Sequence, residues 1–206
     1  MLTEDNSEKI LVGVVGRLGA GKSAFSKMLA LHGASLLEAD KIAWKLYDIP
    51  AVKKDIRAAF SGKVFDIHGK VDRKKLGEIV FADPDALKRL NAIVHPPLIG
   101  ELEYQISRTS KEVVVIDAAL LLDWPLAESC DLLIAVAADE DTSIQRLEEK
   151  KVRPRRSRAI LASQRDEAEF RKLCHVIVEN DGSLEDLRVA AEGVWKKYVE
   201  PMISRH

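Results

Sequence analysis

Cysteine is scarce in this chain. There are two, Cys130 and Cys174, far apart and in no metal-ligand spacing, so they read as two free thiols in or near the core. No apolar run reaches membrane-spanning length. No sign of charge dominates: 32 basic side chains face 33 acidic ones, for a net charge of −1. That balance gives no support to a nucleic-acid or anionic-membrane surface, although local basic patches are compatible with it. Internal repeats and low-complexity tracts are also missing. The first nine residues, Met1 to Lys9, are polar and acidic rather than the charged-then-apolar pattern of a signal peptide. A cytoplasmic protein is the expectation.

The rest of the composition is ordinary for a globular protein, with 47% hydrophobic and 32% charged residues. At 206 residues the chain can form one well-packed domain with insertions, or two small ones. Its most informative stretch is Gly16-Arg17-Leu18-Gly19-Ala20-Gly21-Lys22-Ser23, which fits G-x-x-x-x-G-K-[ST], the phosphate-binding P-loop. The apolar run Ile10–Val15 precedes it. After it, Phe25, Met28, Leu29 and His32 fall at i, i+3, i+4 and i+7, a helix with one apolar face. Strand, glycine loop and helix form the context the motif requires. Glycines let successive backbone N–H groups converge on phosphate oxygens, and the helix N-terminus adds its own N–H groups and positive dipole end. Lys22 can reach the β- and γ-phosphates, and the Ser23 hydroxyl can ligate Mg²⁺. The alternative is a glycine-rich turn that binds nothing.

Gly33 can close this first helix, and Ala34–Leu37 reads as a second strand ending in Glu38-Ala39-Asp40. Ligands of open α/β sheets bind beyond the carboxyl ends of the strands. Asp40 is therefore placed either to orient or deprotonate an alcohol, or simply to cap the next helix. From residue 41 to about 110 the pattern is helical, with Ile42, Leu46, Val52, Ile56 and Phe60 in register, a loop around 66–70, and helices from Arg73, Pro84 and Pro97. His95-Pro96-Pro97 is expected to break the last two apart. Val113–Ile116 ending in Asp117 has the form of a strand whose carboxylate supports Mg²⁺, or only caps the strand. Leu132–Val136 and Val176–Val178 read as two further buried strands. Such uninterrupted apolar strands alternating with helices predict a parallel five-stranded α/β sheet covered on both faces. Between them, Lys150 to Arg158 is densely basic: a solvated face, a nucleic-acid patch, or a lid over nucleotide phosphates, with Arg146, Lys150 and Arg153 as candidate contacts. Ser183 is placed to cap a C-terminal helix.

Several separated segments together resemble the dephospho-coenzyme A kinase family over nearly the whole chain. They are the P-loop, Glu38-Ala39-Asp40, the Val71–Phe81 segment with Asp72-Arg73, Leu90-Asn91-Ala92-Ile93-Val94-His95-Pro96, and Glu179-Asn180-Asp181-Gly182. The resemblance implies a P-loop kinase that uses ATP and Mg²⁺ to phosphorylate the ribose 3′-hydroxyl of dephospho-CoA, with no nucleic-acid or membrane partner. It implies a nucleotide-binding core of 1–40, 111–146 and 171–206, a substrate domain of 41–110 and a lid of 147–170. Asp40, Lys22 and Arg146 become the catalytic residues. Gly16, Leu18, Gly19, Ala20, Gly21, Lys22, Ser23, Ala24, Lys150 and Asn180 face the nucleotide, the last near its adenine. Asp40, Arg73 and His95 face the acceptor, and Ser23 and Asp117 face the metal. The chain departs from the family pattern at Glu38, Ala119, Asp123 and Lys150, and the stretch from Lys151 to Arg158 matches poorly. Another nucleoside or nucleotide kinase, a non-catalytic nucleotide-binding regulator, and a nucleic-acid-dependent ATPase are the competing readings.

Overall fold

The four apolar runs and the short strand around Leu36-Leu37 become the five strands of one sheet. The computed structural model describes residues 9–205, the side chain of Arg156 excepted; the polar stretch 1–8 lies outside them. Strands β1 (Ile10–Val15), β2 (Ser35–Glu38), β3 (Val113–Asp117), β4 (Leu132–Ala137) and β5 (Val176–Glu179) lie in the order β2-β3-β1-β4-β5. Every pairing is parallel. The register sets Val14 opposite Asp117, and Asp117 opposite Glu38. The carboxyl ends of β1, β2 and β3 thus share one edge, the edge from which the P-loop departs.

Strand alternation divides the side chains between two faces. Ile10, Val12, Val14, Val113, Val115, Leu132, Ile134, Val136 and Val178 share a core with Phe25, Leu29, Leu187, Ala191, Val194, Trp195 and Val199. Those partners come from α1 (Lys22–Ala30), from α9 (Leu184–Val194) and from the π-helical turn Trp195–Val199 that leads into α10 (Glu200–Ile203). On the opposite face Gly13 is packed so closely that an added Cβ would lie 2.5 Å from Leu121, 2.7 Å from Leu133 and 3.2 Å from Cys130 Sγ. Both cysteines are free thiols. Burial pushes the Cys130 thiol up to about 12, with Asp131 adding to the rise, and the Cys174 thiol up to about 11. Neither is a nucleophile at neutral pH.

The described chain divides into two compact units, one formed by residues 9–38 and 106–205, the other by Ala39–Gln105. Within the first, α6 (Glu140–Glu149) follows β4. Two helices that sequence periodicity left unassigned, α7 (Pro154–Ser163) and α8 (Glu167–Leu173), lead into β5. Each of α8 and α9 starts with a reciprocal capping box, Asp166 with Glu169 and Ser183 with Asp186. The second unit holds α2 (Ala39–Leu46), α3 (Pro50–Phe60), α4 (Arg73–Val80) and most of α5 (Pro84–Arg108) around Val52, Ile56, Phe60, Leu76, Val80, Leu90 and Val94. An isolated antiparallel bridge, Phe65 to Val71, closes the loop between α3 and α4.

One expectation is corrected here. His95-Pro96-Pro97 does not end a helix: α5 runs through both prolines as one 25-residue helix. The prolines remove two intrahelical hydrogen bonds, and an interior proline costs about 3 kcal/mol or more. Leu90, Val94, Leu98 and Leu102 continue as one buried row at four-residue spacing on both sides of the pair. Each buried side chain of this kind contributes about 1.5–3 kcal/mol, enough in sum to carry the helix across the defect.

Candidate active site

The loop between β1 and α1 has the backbone that its glycines allow. Gly16 has φ +140 and Gly21 has φ +102, both in the region that side chains rarely enter. A Cβ at Gly16 would lie 2.2 Å from the carbonyl oxygen of Val136, and one at Gly21 would lie 2.2 Å from Asn180 Nδ2. Strand β4 on one side and the β5–α9 turn on the other therefore mould the loop. Gly21 is the N-cap of α1; it has no side chain to cap with, and the first turn holds no acidic residue. The positive end of this helix is thus presented by Lys22, Ser23 and Ala24, with Ser23 exposed. Lys22 folds back across the loop, its Nζ donating to the Arg17 carbonyl at 3.2 Å. Such an arrangement, backbone N–H groups plus one mobile cation and no anionic side chain at the helix start, is suited to a polyphosphate.

Four contacts brace this loop, and sequence reasoning foresaw none of them. Asn180, 5% exposed, donates from Nδ2 to the Ala20 carbonyl at 2.7 Å. Gln164 accepts at Oε1 from the Leu18 N–H at 2.8 Å. Arg17 donates to the Leu161 carbonyl at 2.8 Å and lies 3.8 Å from Glu140. The residue at 164 sits just past the end of α7, so the segment 161–164 lies directly against the P-loop. Its partner is more than a hundred positions away, and no local pattern encodes that. Removing the Asn180 amide orphans a carbonyl in a buried position, a loss of about 1–3 kcal/mol. For a chain of this size, Asn180→Ala is therefore expected to lower the melting temperature by roughly 2–12 °C; thermal unfolding followed by circular dichroism checks it, and an unchanged midpoint contradicts the bracing role.

The guanidinium of Arg146 reaches two backbone carbonyls of the β5–α9 turn, Asn180 at 2.8 Å and Gly182 at 3.3 Å. The same turn is tied to the end of β4 through Asn180 N–H to the Ala137 carbonyl, and to the N-cap of α6 through Asp139 N–H to Asp181, at 2.8 and 2.7 Å. Arg146 thus holds the shape of the turn. Lys150 is exposed at the C-cap of α6, and Arg153 is the N-cap of α7. Of the departures from the family pattern, Asp123 is ion-paired with Arg165 at 2.5 Å, and Arg165 also meets Glu169 at 3.0 Å. Asp117 closes β3 and is buried, 7% exposed. Its carboxylate and the Ser23 hydroxyl are hard oxygen donors, the type that Mg²⁺ takes when it arrives with a nucleotide.

The second unit carries the remaining candidates. Asp40 stands in the first turn of α2, not at its N-cap, two residues along the chain from the end of β2. A carboxylate there also suits the helix dipole. Arg73 opens α4 after Asp72, whose carboxylate accepts from the N–H groups of Lys74 and Lys75 at 3.0 and 3.1 Å. The Arg73 guanidinium lies over the ring of Trp44, 4.4 Å from its centroid. Tyr47 lies close to both charges: burial raises its phenol above the ordinary value, the Asp40 charge adds to the rise and Arg73 opposes it. His95 is half-buried in α5, immediately before the proline pair. Asp40, Tyr47, Trp44 and Arg73 thus form one cluster.

Known proteins are similar to this chain over most of its length. The family model for dephospho-CoA kinase matches residues 10–186. A dephospho-CoA kinase of Thermobifida fusca is 36% identical over 199 residues, covering 94% of this chain and 98% of its own. Another, from Fusobacterium nucleatum, is 34% identical over 179 residues, covering 86% of this chain and 93% of its own. In three dimensions, dephospho-CoA kinase from Campylobacter jejuni superposes with a TM-score of 0.64 at 28% identity, covering 91% of this chain and 96% of that one. With its parallel sheet, its P-loop and a match that runs from β1 into α9, this chain belongs to the dephospho-CoA kinase family, the enzymes of the final step of coenzyme A biosynthesis.

Proposed function

We propose that this chain transfers the γ-phosphoryl group of ATP to the ribose 3′-hydroxyl of dephospho-CoA, giving CoA and ADP in the cytoplasm. The observation that carries the donor half is the uncapped start of α1, wrapped by Gly16–Gly21 with Lys22 folded over it. In this reading the backbone from Gly16 to Ala24, including Leu18, Gly19 and Ala20, cradles the β- and γ-phosphates. Lys22 neutralises the charge that builds on the transferring group. Ser23 and Asp117 would hold Mg²⁺, which when bound supplies further neutralisation of the phosphate oxygens. Asn180 and the carbonyls that Arg146 fixes shape the adenine side. Lys150 and the helices of 147–170 form the lid, with the charge but not the forked geometry of an arginine at 150.

Asp40 orients the 3′-hydroxyl and accepts its proton as the oxygen attacks the γ-phosphorus. The bond from that phosphorus to the bridging oxygen breaks, and ADP leaves. Arg73 and His95 hold the acceptor, within the residues 41–110. Catalysis of this kind is positioning and electrostatics, with little covalent work for the protein. A coupled ADP-release assay tests it. With ATP and Mg²⁺, dephospho-CoA is expected to support turnover at least about 10²-fold above nucleosides and nucleoside monophosphates, a discrimination available to a site built around one acceptor's polar groups. Equal or faster turnover with a nucleoside would assign the chain to another acceptor.

A further inference from the structure

Trp44 has no part in the roles above. Of the three tryptophans of the chain, Trp124 and Trp195 are 6% and 5% exposed, whereas Trp44 is 47% exposed. The buried stripe of α2 is Ala39, Ile42 and Leu46. Asp40 and Trp44 are both exposed and stand at i and i+4 away from that stripe, so their Cβ atoms are about 5–6 Å apart. The indole is not loose: Arg73, from the start of α4, covers part of it with its guanidinium at 4.4 Å. Tyr47, at i+7 from Asp40, is half-buried and within electrostatic reach of both Asp40 and Arg73. A large aromatic surface is thus held in water, anchored by a cation, one helical turn from the carboxylate assigned to the reacting hydroxyl.

The chemistry of the acceptor says what such a surface is for. In dephospho-CoA the hydroxyl that attacks and the adenine are substituents of one ribose ring. A group that stacks on this base must therefore lie within about one nucleoside's width of the group that engages the hydroxyl. Aromatic side chains and guanidinium planes are the surfaces on which unpaired bases stack. We propose that Trp44, backed by Arg73, is the stacking surface for the adenine of the acceptor and so a specificity-determining residue of this enzyme. This rests on the dephospho-CoA kinase reading given above.

Two measurements test it. At saturating ATP, Trp44→Leu is expected to raise the KM for dephospho-CoA roughly tenfold or more, within the range typical of one lost base stack, while the KM for ATP and kcat stay within about twofold. Trp44→Phe, which keeps an aromatic face, is expected to keep most of the affinity. In the unaltered protein, Trp44 is the accessible indole, so dephospho-CoA is expected to shield its fluorescence from acrylamide while ATP alone leaves it open. An unchanged KM for dephospho-CoA in Trp44→Leu, or no shielding in the unaltered protein, overturns the assignment of Trp44. If the unaltered protein does not phosphorylate dephospho-CoA at all, it is the functional reading that fails. Turnover of dephospho-CoA with Trp44 unshielded removes only the stacking site.

Discussion

Asp40→Asn is expected to lower kcat for dephospho-CoA by about 10²–10⁴, the usual contribution of a positioned general base, and to leave the affinity for ATP unchanged. The substitution is nearly isosteric. The amide still offers an oxygen to a hydroxyl but cannot take its proton, so the loss falls on the chemical step. It also separates the two readings of Asp40 that the sequence allows. Were the carboxylate only a first-turn residue facing the helix dipole, asparagine would preserve the fold at a small cost. The missing charge would then cost about 0.3–1 kcal/mol of stability through the helix dipole and nothing in turnover. Steady-state kinetics with an independent ATP-binding titration reads both quantities. A kcat within threefold of the unaltered enzyme removes Asp40 from the chemistry.

The second large effect belongs to Gly16→Ala. The methyl group would sit 2.2 Å from the Val136 carbonyl oxygen, a backbone atom of β4 that cannot turn aside, at a φ of +140. Backbone strain of this kind costs about 1–3 kcal/mol even without a clash, so the loop must leave its native path and with it the convergence of N–H groups. ATP affinity is expected to fall by about 10²-fold or more, as for the loss of one or two hydrogen bonds to a charged group at about 1.5–3 kcal/mol each. Gly33 supplies the control. Its φ is +106, but an added Cβ would meet nothing within 4 Å. Gly33→Ala should carry the strain and lower the melting temperature while ATP binds as before. Calorimetric titration of both variants distinguishes a moulded cradle from generic backbone strain; equal ATP affinities would contradict the cradle.

How much of this was legible in the chain differs from feature to feature. Most strands were readable because they are built on uninterrupted apolar runs, β2 only as a short Leu36-Leu37 stretch after the first helix, and the P-loop because its glycines, lysine and serine are tied to consecutive backbone positions. Their spatial order, β2-β3-β1-β4-β5, is a matter of which hydrogen-bonding edges meet, and no run of residues announces it. The unbroken course of α5 was hidden for a similar reason. Pro96-Pro97 is a strong local stop signal, and the row of Leu90, Val94, Leu98 and Leu102 that outweighs it acts only through packing. The bracing of the P-loop by Asn180 and Gln164 spans 160 and 146 positions. Asn180 could be singled out only through its resemblance to a family turn, and then for the adenine rather than for its hydrogen bond to Ala20. Gln164 carries no signal at all. Arg146 was legible as a cation near the nucleotide half of the chain, but its two carbonyl partners were not. Nothing in the sequence reading singled out Trp44; its meaning required Arg73, which folding brings from α4.

The central claim is that ATP and dephospho-CoA meet here and that the 3′-oxygen takes the phosphoryl group. Phosphorus NMR of the complete reaction tests it most directly. With the purified chain, ATP, Mg²⁺ and dephospho-CoA, one ADP is expected to form for each new phosphomonoester resonance, and that phosphorus should couple to the ribose 3′ proton. ADP release without a new ester, or an ester at any other position of the acceptor, would contradict the account.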